Sequence, residues 1–240
     1  MTGTVLILAG GFGSRLKEVV AEHPKVLAPV RGRPFVTYIL DQIERAGFSS
    51  VILATGYRAD EIESTLRSSY GSLSLEYSPE PSPLGTAGAI AHARHRLRPG
   101  PCLVMNGDSI CLADLAGYWQ WAQDRDAAVA LLLAHVKDPR RFGTVRLEGE
   151  GEGEDDQIVS FEEKSPALGA KWINAGIYYL SDSFLDSLEQ GRNASLERDV
   201  LPNWIGRGMY GWKADAPFLD IGVPESYAEA EEFIGRAAPQ

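Results

Sequence analysis

The sequence predicts an α/β fold, a single domain with a mostly parallel central sheet and helices on both faces. Three short apolar runs, Thr4–Ala9, Val51–Thr55 and Cys102–Met105, have the pattern of parallel strands that are buried on both sides. Segments with helical periodicity separate these runs, as expected of βαβ units. A chain of 240 residues with 44% hydrophobic content is long enough for one such core. We therefore expect a Rossmann-like architecture.

The elements before residue 127 follow this alternation. Phe35, Ile39 and Ile43 recur at helical spacing, and Gly47 follows as a natural helix-terminating residue. The pattern then predicts a helix near 59–68, a strand near 73–77, a helix near 86–96 and, after the strand at 102–105, a helix near 113–124. Ligands bind outside the carboxyl ends of the strands in such sheets, so functional residues should follow strands.

The pattern changes after residue 127. The next apolar runs lie at 127–133, 142–147, 157–161 and 172–180. The middle runs of this set have no full helices between them. This indicates a small antiparallel insertion or lid, and helices near 195–205 and 224–235 follow it. The acidic run at 148–156 is rich in glycine, and such runs between strands are usually solvated turns.

Charge and composition exclude several classes of function. The 23 Lys and Arg against 33 Asp and Glu give a net charge of −10, the wrong sign for binding nucleic acid. Cys102 and Cys111 have no metal-site spacing, so we interpret them as buried apolar residues in a reducing compartment. No 18-residue apolar stretch occurs, and no basic leader precedes the first strand. We expect a soluble, cytoplasmic protein with no membrane partner.

A glycine-rich segment follows the first strand. From Leu8 to Leu16 it reads Leu-Ala-Gly-Gly-Phe-Gly-Ser-Arg-Leu. Glycines there let backbone N–H groups converge on an anion, and Arg15 adds charged donors that suit phosphate oxygens. The segment has leucine where the Rossmann fingerprint needs Gly or Ala, and it lacks the Gly-Lys-[Ser/Thr] of a Walker A loop. The residues alone therefore predict either a phosphate site or an ordinary strand-to-helix turn.

Further motifs follow in order along the chain. They are His23–Leu27, Pro83–Ala89, Asn106–Asp108, Phe142–Gly143, Phe161–Lys164, Asn174–Gly176 and Phe218–Gly222. Together, over essentially all 240 residues, they resemble the sugar-1-phosphate nucleotidylyltransferase family. The length and the segment Asp220–Tyr227 are most similar to the guanylyltransferases of that family, particularly those that act on D-glycero-α-D-manno-heptose 1-phosphate.

The resemblance implies a reaction in which a sugar 1-phosphate attacks the α-phosphorus of a nucleoside triphosphate in line and pyrophosphate leaves. It implies that Asp108 and Asp220 hold Mg²⁺, a cation that one or two carboxylates bind together with phosphate oxygens. Arg15 would hold the β- and γ-phosphates, Lys25 would neutralise charge at the α-phosphate, and Lys164 would bind the sugar phosphate. No covalent nucleophile is required.

By the same resemblance, the nucleotide would bind residues of four segments. They are Leu8, Ala9, Gly10, Gly11, Gly13, Ser14 and Arg15, then Lys25, then Glu80, Pro83, Leu84, Gly85 and Thr86, and finally Asn106 and Gly107. Glu80 stands where relatives selective for thymidine or uridine tend to have glutamine. A carboxylate can accept hydrogen bonds from both guanine N1–H and N2–H₂, whereas a pyrimidine offers at most one matching donor. This favours GTP.

The sugar would bind the part of the chain around 135–180. The residues implied are Gly143, Glu163, Lys164, Asn174 and Gly176. Glu163 would accept hydrogen bonds from sugar hydroxyls, although without the family pattern a solvated Glu-Lys pair would be the preferred interpretation of Glu163 and Lys164. The sequence shows no hexapeptide-repeat β-helix, so we expect a single domain over 1–240 and no fused acyltransferase activity.

Several alternatives stay open on the sequence alone. Asp108 and Asp220 each also suit an ordinary turn. Mannose 1-phosphate is an alternative sugar, and UTP, dTTP and CTP are alternative nucleotides. A non-catalytic sensor of nucleotides or sugar phosphates is the alternative from another class, and metal-bridging carboxylates argue against it because a sensor does not need them. We expect small-molecule substrates, and a homodimer is left open.

Overall fold

The computed structural model describes residues 3–11, 23–148, 156–163 and 171–237. Within these ranges the strands are β1 (Thr4–Ala9), β2 (Pro29–Val30), β3 (Arg33–Pro34), β4 (Ser50–Thr55), β5 (Ser69–Tyr70), β6 (Leu73–Pro79), β7 (Cys102–Asn106), β8 (Ser109–Cys111), β9 (Val129–Val136), β10 (Gly143–Leu147), β11 (Ile158–Glu163), β12 (Lys171–Leu180), β13 (Met209–Ala214) and β14 (Phe218–Asp220). The α-helices are α1 (Val36–Arg45), α2 (Ala59–Leu66), α3 (Gly85–Ala93), α4 (Leu115–Asp124), α5 (Asp182–Asp186), α6 (Pro224–Ala228) and α7 (Ala230–Ala237). Most of the acidic run, residues 149–155, lies outside the described ranges.

The main sheet has the order β11-β10-β12-β7-β1-β4-β6-β5, and β9 joins it beside β12, with β13 beside β9. Its centre, β7-β1-β4-β6, is parallel throughout, which confirms the predicted βαβ winding. In register, Leu8 lies between Ala54 and Asn106, so the carboxyl ends of β1, β4 and β7 meet at one edge.

Both faces of the central strands are covered, as the continuous apolar runs predict. Val5 and Ile7 pack in one core cluster with Ile39 of α1, whereas Leu6 packs on the opposite face with Ile90 of α3. Each of these side chains is fully buried. Alternate residues of β1 therefore pack into two different core clusters. For this reason the strand lacks the alternation of apolar and polar residues that a half-exposed strand shows.

The antiparallel part continues the central sheet through the long strand β12. Its carboxyl half, Ile177–Leu180, pairs antiparallel with β7, and its amino half touches β10 where Thr144 lies opposite Ile173. Strand β9 pairs antiparallel with both halves. The register shifts between Asn174 and Tyr178, a span that contains Gly176 with φ +74°. Such an irregularity bends a strand, so β12 turns at the edge where β7 ends.

Two expected helices differ in form from the prediction. The segment near 195–205 is a π-helical turn at Leu196–Val200 followed by a 3₁₀ turn at Leu201–Trp204. Pro202 lacks the N–H that an α-helix would need there. The segment near 224–235 is divided into α6 and α7. Among the described helices, none has the length and apolar character needed to cross a membrane.

The two cysteines are buried and free, as expected of small apolar residues. Burial raises the pKa of the Cys102 and Cys111 thiols to about 12. Since the thiolate is the reactive form, neither side chain is suited to nucleophilic or metal chemistry.

Tyr118 of α4 ties the helix to two strands through one buried hydroxyl. The hydroxyl donates to the Ala130 carbonyl at 2.7 Å and accepts from Tyr179 N–H at 3.0 Å. We expect Tyr118→Phe to lower the free energy of unfolding by about 1–3 kcal/mol, because two buried backbone groups lose their partner. Urea unfolding would measure this. Tyr210→Phe is the control, since Tyr210 of β13 is only partly buried, and an equal loss there would contradict the assignment.

Candidate active site

A cavity of about 310 Å³ lies at the edge where β1 and β7 end. It is lined by Leu8, Ala9, Gly10, Gly11, Lys25, Val26, Glu80, Pro83, Gly85, Thr86, Ala89, Asn106 and Asp108. Of the residues predicted to bind nucleotide, Leu84 and Gly107 flank this lining, and Gly13, Ser14 and Arg15 lie outside the described ranges. The structure thus brings four separate sequence segments to one cavity, as expected for an α/β sheet.

Close backbone approach explains a glycine in this wall. Gly107 N–H donates to the Leu8 carbonyl at 2.9 Å. A Cβ on Gly107 would lie 2.8 Å from that same oxygen and 2.8 Å from a methyl carbon of Val26, so a side chain there would force the β1 and β7 ends apart.

Lys25, Asp108 and Asp220 come together beside the cavity, although all three are far apart in sequence. Lys25 begins a 3₁₀ turn after Pro24, and Asp108 lies in the turn between β7 and β8. Strand β14 pairs antiparallel with β8, which sets Asp220 opposite Ser109. A backbone hydrogen bond of 2.9 Å from Ile221 N–H to the Asp108 carbonyl fixes the two turns.

The charges at this point are closely paired. Lys25 Nζ lies 2.5 Å from Asp108 Oδ2, and Arg141 Nη2 lies 2.7 Å from Asp220 Oδ1. The pKa of Asp220 is raised, first by burial and second by the Asp108 carboxylate, while Lys25 and Arg141 oppose the rise. Two carboxylates that disfavour each other's charge are a typical setting for a bound cation.

The fit to a divalent metal rests on these two carboxylates. Within the described part of the chain, no group of three or more His, Cys, Asp or Glu side chains is arranged to hold a metal ion. Asp108 and Asp220 fit Mg²⁺, which is usually held by one or two carboxylates and completes its shell with substrate phosphates and water.

Glu80 lies at the far side of the cavity, just after β6. Its backbone N–H donates to the Thr55 carbonyl at 2.7 Å, and its Oε2 accepts from Leu84 N–H at 2.9 Å. Oε1 packs so tightly against Gly10 that a Cβ on this glycine would collide with it. Burial raises the pKa of Glu80, and the hydrogen bond from Leu84 opposes this. The carboxyl group is therefore held rigidly at the cavity wall, unlike an exposed loop glutamate.

The residues predicted to bind sugar lie along the antiparallel part. Gly143 pairs in register with Glu163, whose side chain is not described, and Lys164 lies outside the described ranges. Asn174 Oδ1 accepts from Gly176 N–H at 3.0 Å, which holds the irregular part of β12. A Cβ on Gly176 would lie 2.5 Å from Asn106 Nδ2, so this turn touches the wall of the cavity described above.

Two charged residues of this region were missed by the sequence analysis. Arg141 directly precedes Phe142–Gly143, and that position is the signal that was available for it. Glu197 accepts a hydrogen bond from Thr86, which lines the cavity, at 2.8 Å. Because 111 residues separate the two, no local pattern pointed to Glu197.

Known proteins resemble the chain over nearly its whole length. The mannose-1-phosphate guanylyltransferase of Mycobacterium tuberculosis is 36% identical over 236 residues, and the alignment covers 96% of this chain but only 64% of that enzyme. The D-glycero-alpha-D-manno-heptose 1-phosphate guanylyltransferase of Aneurinibacillus thermoaerophilus is 34% identical over 230 residues, covering 95% of this chain and 97% of that enzyme.

A solved structure agrees with these relatives. HddC from Yersinia pseudotuberculosis, complexed with GMP-PN, superposes with a TM-score of 0.83 at 30% identity, covering 97% of this chain and 100% of that one. The family described as "Nucleotidyl transferase" matches residues 4–237. With its cavity at the carboxyl ends of the strands and this match over almost every residue, the chain belongs to the nucleotidyl transferase family.

Proposed function

We propose that the chain transfers the guanylyl group of GTP to a sugar 1-phosphate, releasing pyrophosphate and giving a GDP-sugar. D-glycero-α-D-manno-heptose 1-phosphate is the proposed sugar, because the heptose enzyme of Aneurinibacillus thermoaerophilus matches this chain over 97% of its own length. Mannose 1-phosphate is the alternative sugar, because the longer mycobacterial relative is a mannose-1-phosphate guanylyltransferase. The main structural support is the meeting of Lys25, Asp108 and Asp220 beside a glycine-walled cavity.

The charges around the cavity suit this chemistry. An oxygen of the sugar phosphate forms a bond to the α-phosphorus while the bond from that phosphorus to the pyrophosphate oxygen breaks, so negative charge collects on both sides. Lys25 lies in the cavity lining, where its ammonium neutralises charge at the α-phosphate. Asp108 and Asp220 are the residues to hold Mg²⁺, which supplies Lewis-acid stabilisation of phosphate oxygens when bound.

The remaining site roles are part of the same proposal. Arg15 would bind the departing β- and γ-phosphates, and Lys164 would bind the sugar phosphate. Glu163 would accept hydrogen bonds from sugar hydroxyls beside Gly143 and Asn174. The pairing of Gly143 with Glu163 supports the last of these, since it sets the two residues side by side on β10 and β11.

Pyrophosphate release tests the reaction. The assay would use Mg²⁺ with GTP, UTP, CTP, dTTP and ATP, each combined with mannose, glucose and D-glycero-α-D-manno-heptose 1-phosphates. We expect release only when GTP and one of the manno-configured sugar phosphates are both present. If no combination released pyrophosphate but GTP still raised the melting temperature, the result would instead favour a nucleotide sensor.

Base selection by Glu80 gives a separate prediction. Glu80→Gln should raise the KM for GTP about tenfold or more, because the amide can accept only one of the two guanine donors and presents its own N–H₂ group to the other. The values of kcat/KM for GTP, UTP and dTTP measure the effect. Glu76→Gln is the matched control, since Glu76 is an exposed carboxylate on β6, the strand that Glu80 follows. Unchanged selectivity in Glu80→Gln would remove the argument for GTP.

The pH dependence of GTP use follows from the same group. Burial raises the pKa of Glu80 above its ordinary value of 4.5, and only the ionised carboxylate accepts both guanine donors. As the pH falls through this raised pKa, kcat/KM for GTP should decline at a higher pH than an exposed glutamate would cause. Glu80→Gln should lack this component, so the difference between the two pH profiles isolates Glu80 from Asp220. Identical profiles would show that Glu80 does not bind the base.

A further inference from the structure

The carboxylate of Glu197 is the meeting point of three hydroxyl groups. Oε1 accepts from the Tyr178 hydroxyl at 2.9 Å, and Oε2 accepts from Thr86 at 2.8 Å and from Ser195 at 2.9 Å. Glu197 belongs to the π-helical turn Leu196–Val200, a rare conformation that occurs frequently at functional sites. A carboxylate that accepts hydrogen bonds from opposite directions can fix two structural units relative to each other.

On one side Glu197 orients the first turn of α3, which lines the cavity. Thr86 Oγ1 accepts from Leu196 N–H at 2.6 Å, so its own hydrogen is directed to Glu197. The backbone just before Leu196 supports the same helix start, since Ala194 N–H donates to the Leu84 carbonyl and Ala87 N–H donates to the Ala194 carbonyl, both at 2.9 Å.

On the other side Glu197 orients the strand that bears Asn174. The fully buried Tyr178 accepts from Asn174 Nδ2 at 2.8 Å and donates onward to Glu197. This leaves Asn174 Oδ1 directed at Gly176 N–H, the contact that holds the irregular part of β12. The hydrogen bonds therefore run from Asn174 through Tyr178 to Glu197, and from Leu196 through Thr86 to the same carboxylate.

The direction of these hydrogen bonds makes the negative charge necessary. An ionised carboxylate only accepts, so it commits the hydrogens of Tyr178 and Thr86 toward itself. A glutamine of the same shape would present an N–H₂ group to one of them and reverse that bond. The hydroxyl that faces the amide nitrogen could no longer donate to residue 197, and its own hydrogen-bond partners would no longer be held in place. Because the amide can rotate, either Tyr178 or Thr86 could be the affected hydroxyl.

We propose that Glu197 is a positioning residue that sets Thr86 in the nucleotide site and Asn174 in the sugar site with one carboxylate. The proposal deepens the guanylyl transfer proposed above and rests on it for its kinetic part. Glu197 acts through Thr86 and Tyr178, so it does not itself need to contact either substrate. A single substitution at Glu197 then affects the binding of both substrates.

The kinetic test compares Glu197→Gln with Glu189→Gln. Glu189 is a carboxylate on the same stretch of chain whose contact is a surface ion pair of 3.0 Å with Arg192. We expect Glu197→Gln to raise the KM for GTP and the KM for the sugar 1-phosphate, each about tenfold, with a smaller change in kcat. Glu189→Gln should leave all three constants unchanged. An increase in only one KM, or a fall in kcat alone, would overturn the proposal.

Two further variants separate the halves of the network. Thr86→Val should raise the KM for GTP, and Tyr178→Phe should raise the KM for the sugar 1-phosphate. If Glu197 acts through Tyr178, adding Glu197→Gln to Tyr178→Phe should raise the KM for the sugar no further than either single change. Full additivity in this double-mutant cycle would show that the two residues act independently.

Amide hydrogen exchange tests the positioning role without any substrate. Leu196 N–H depends on Thr86, and Gly176 N–H depends on Asn174, so both should exchange about tenfold faster in Glu197→Gln. The central-strand amide of Leu53 serves as the reference for global stability. Unchanged exchange at Leu196 or Gly176 would refute the positioning role even if the enzyme is active. If the wild-type protein releases no pyrophosphate, the proposed function fails, while the exchange data still decide on Glu197.

Discussion

Asp108→Asn is expected to lower the rate of pyrophosphate release by about three orders of magnitude, because metal-held charge contributes several kcal/mol to such transition states. The substitution removes a charge without changing volume, and the Asp108 side chain is 37% exposed, so the fold should persist. Removal of this like charge should also allow the pKa of Asp220 to fall, since Asp108 is the second cause of its rise. The kcat at saturating substrates measures the main effect.

Asp114→Asn is the matched control for this prediction. Asp114 caps α4 by accepting from Ala116 N–H and Gly117 N–H, and asparagine is an equally good N-cap. Its turnover should therefore equal that of the wild type. A fully active Asp108→Asn variant, with Asp114→Asn also active, would show that Asp108 does not hold the metal.

The parallel half of the fold could be predicted because its signals are local. The apolar run of β1, the periodicity of α1 and the glycine after it each lie within about a dozen residues, and each determines one element. The short strands β8 and β14 carry no such signal, since each has three residues. Their pairing brings Asp220 to Asp108, so the proposed metal pair could be predicted only through the family resemblance.

Glu197 and Arg141, the charged residues that the sequence analysis missed, also depend on contacts between distant parts of the chain. Glu197 resembles any polar residue of a short helical turn until Thr86 and Tyr178 are seen to converge on it. Arg141 lies in the loop before β10, and Asp220, the residue to which it donates a hydrogen bond, is 79 residues away in sequence. Contacts of this kind depend on how strands are ordered in the sheet, and residue spacing alone does not determine that order.

Lys25→Met should lower turnover about a hundredfold or more, since a preorganised cation at the reacting phosphate is lost. The same substitution should tighten the binding of Mn²⁺ to the substrate-free protein about tenfold, because the ammonium no longer lies 2.5 Å from Asp108 Oδ2 and no longer repels the metal. Lys213→Met, at an exposed position of β13, is the control for loss of a positive charge. Electron paramagnetic resonance of Mn²⁺ measures the binding, and pyrophosphate release measures the turnover.

The opposite signs of these two effects separate the role of Lys25 from that of its partner. Asp108→Asn should weaken Mn²⁺ binding and lower turnover together, because the group it removes holds the metal. Lys25→Met should lower only the turnover. The ion pair between Lys25 and Asp108 competes with the metal, whereas the lysine itself stabilises phosphate charge. Weaker Mn²⁺ binding in Lys25→Met would mean that the lysine chiefly orients Asp108 as a ligand, and its role at the α-phosphate would then have to be abandoned.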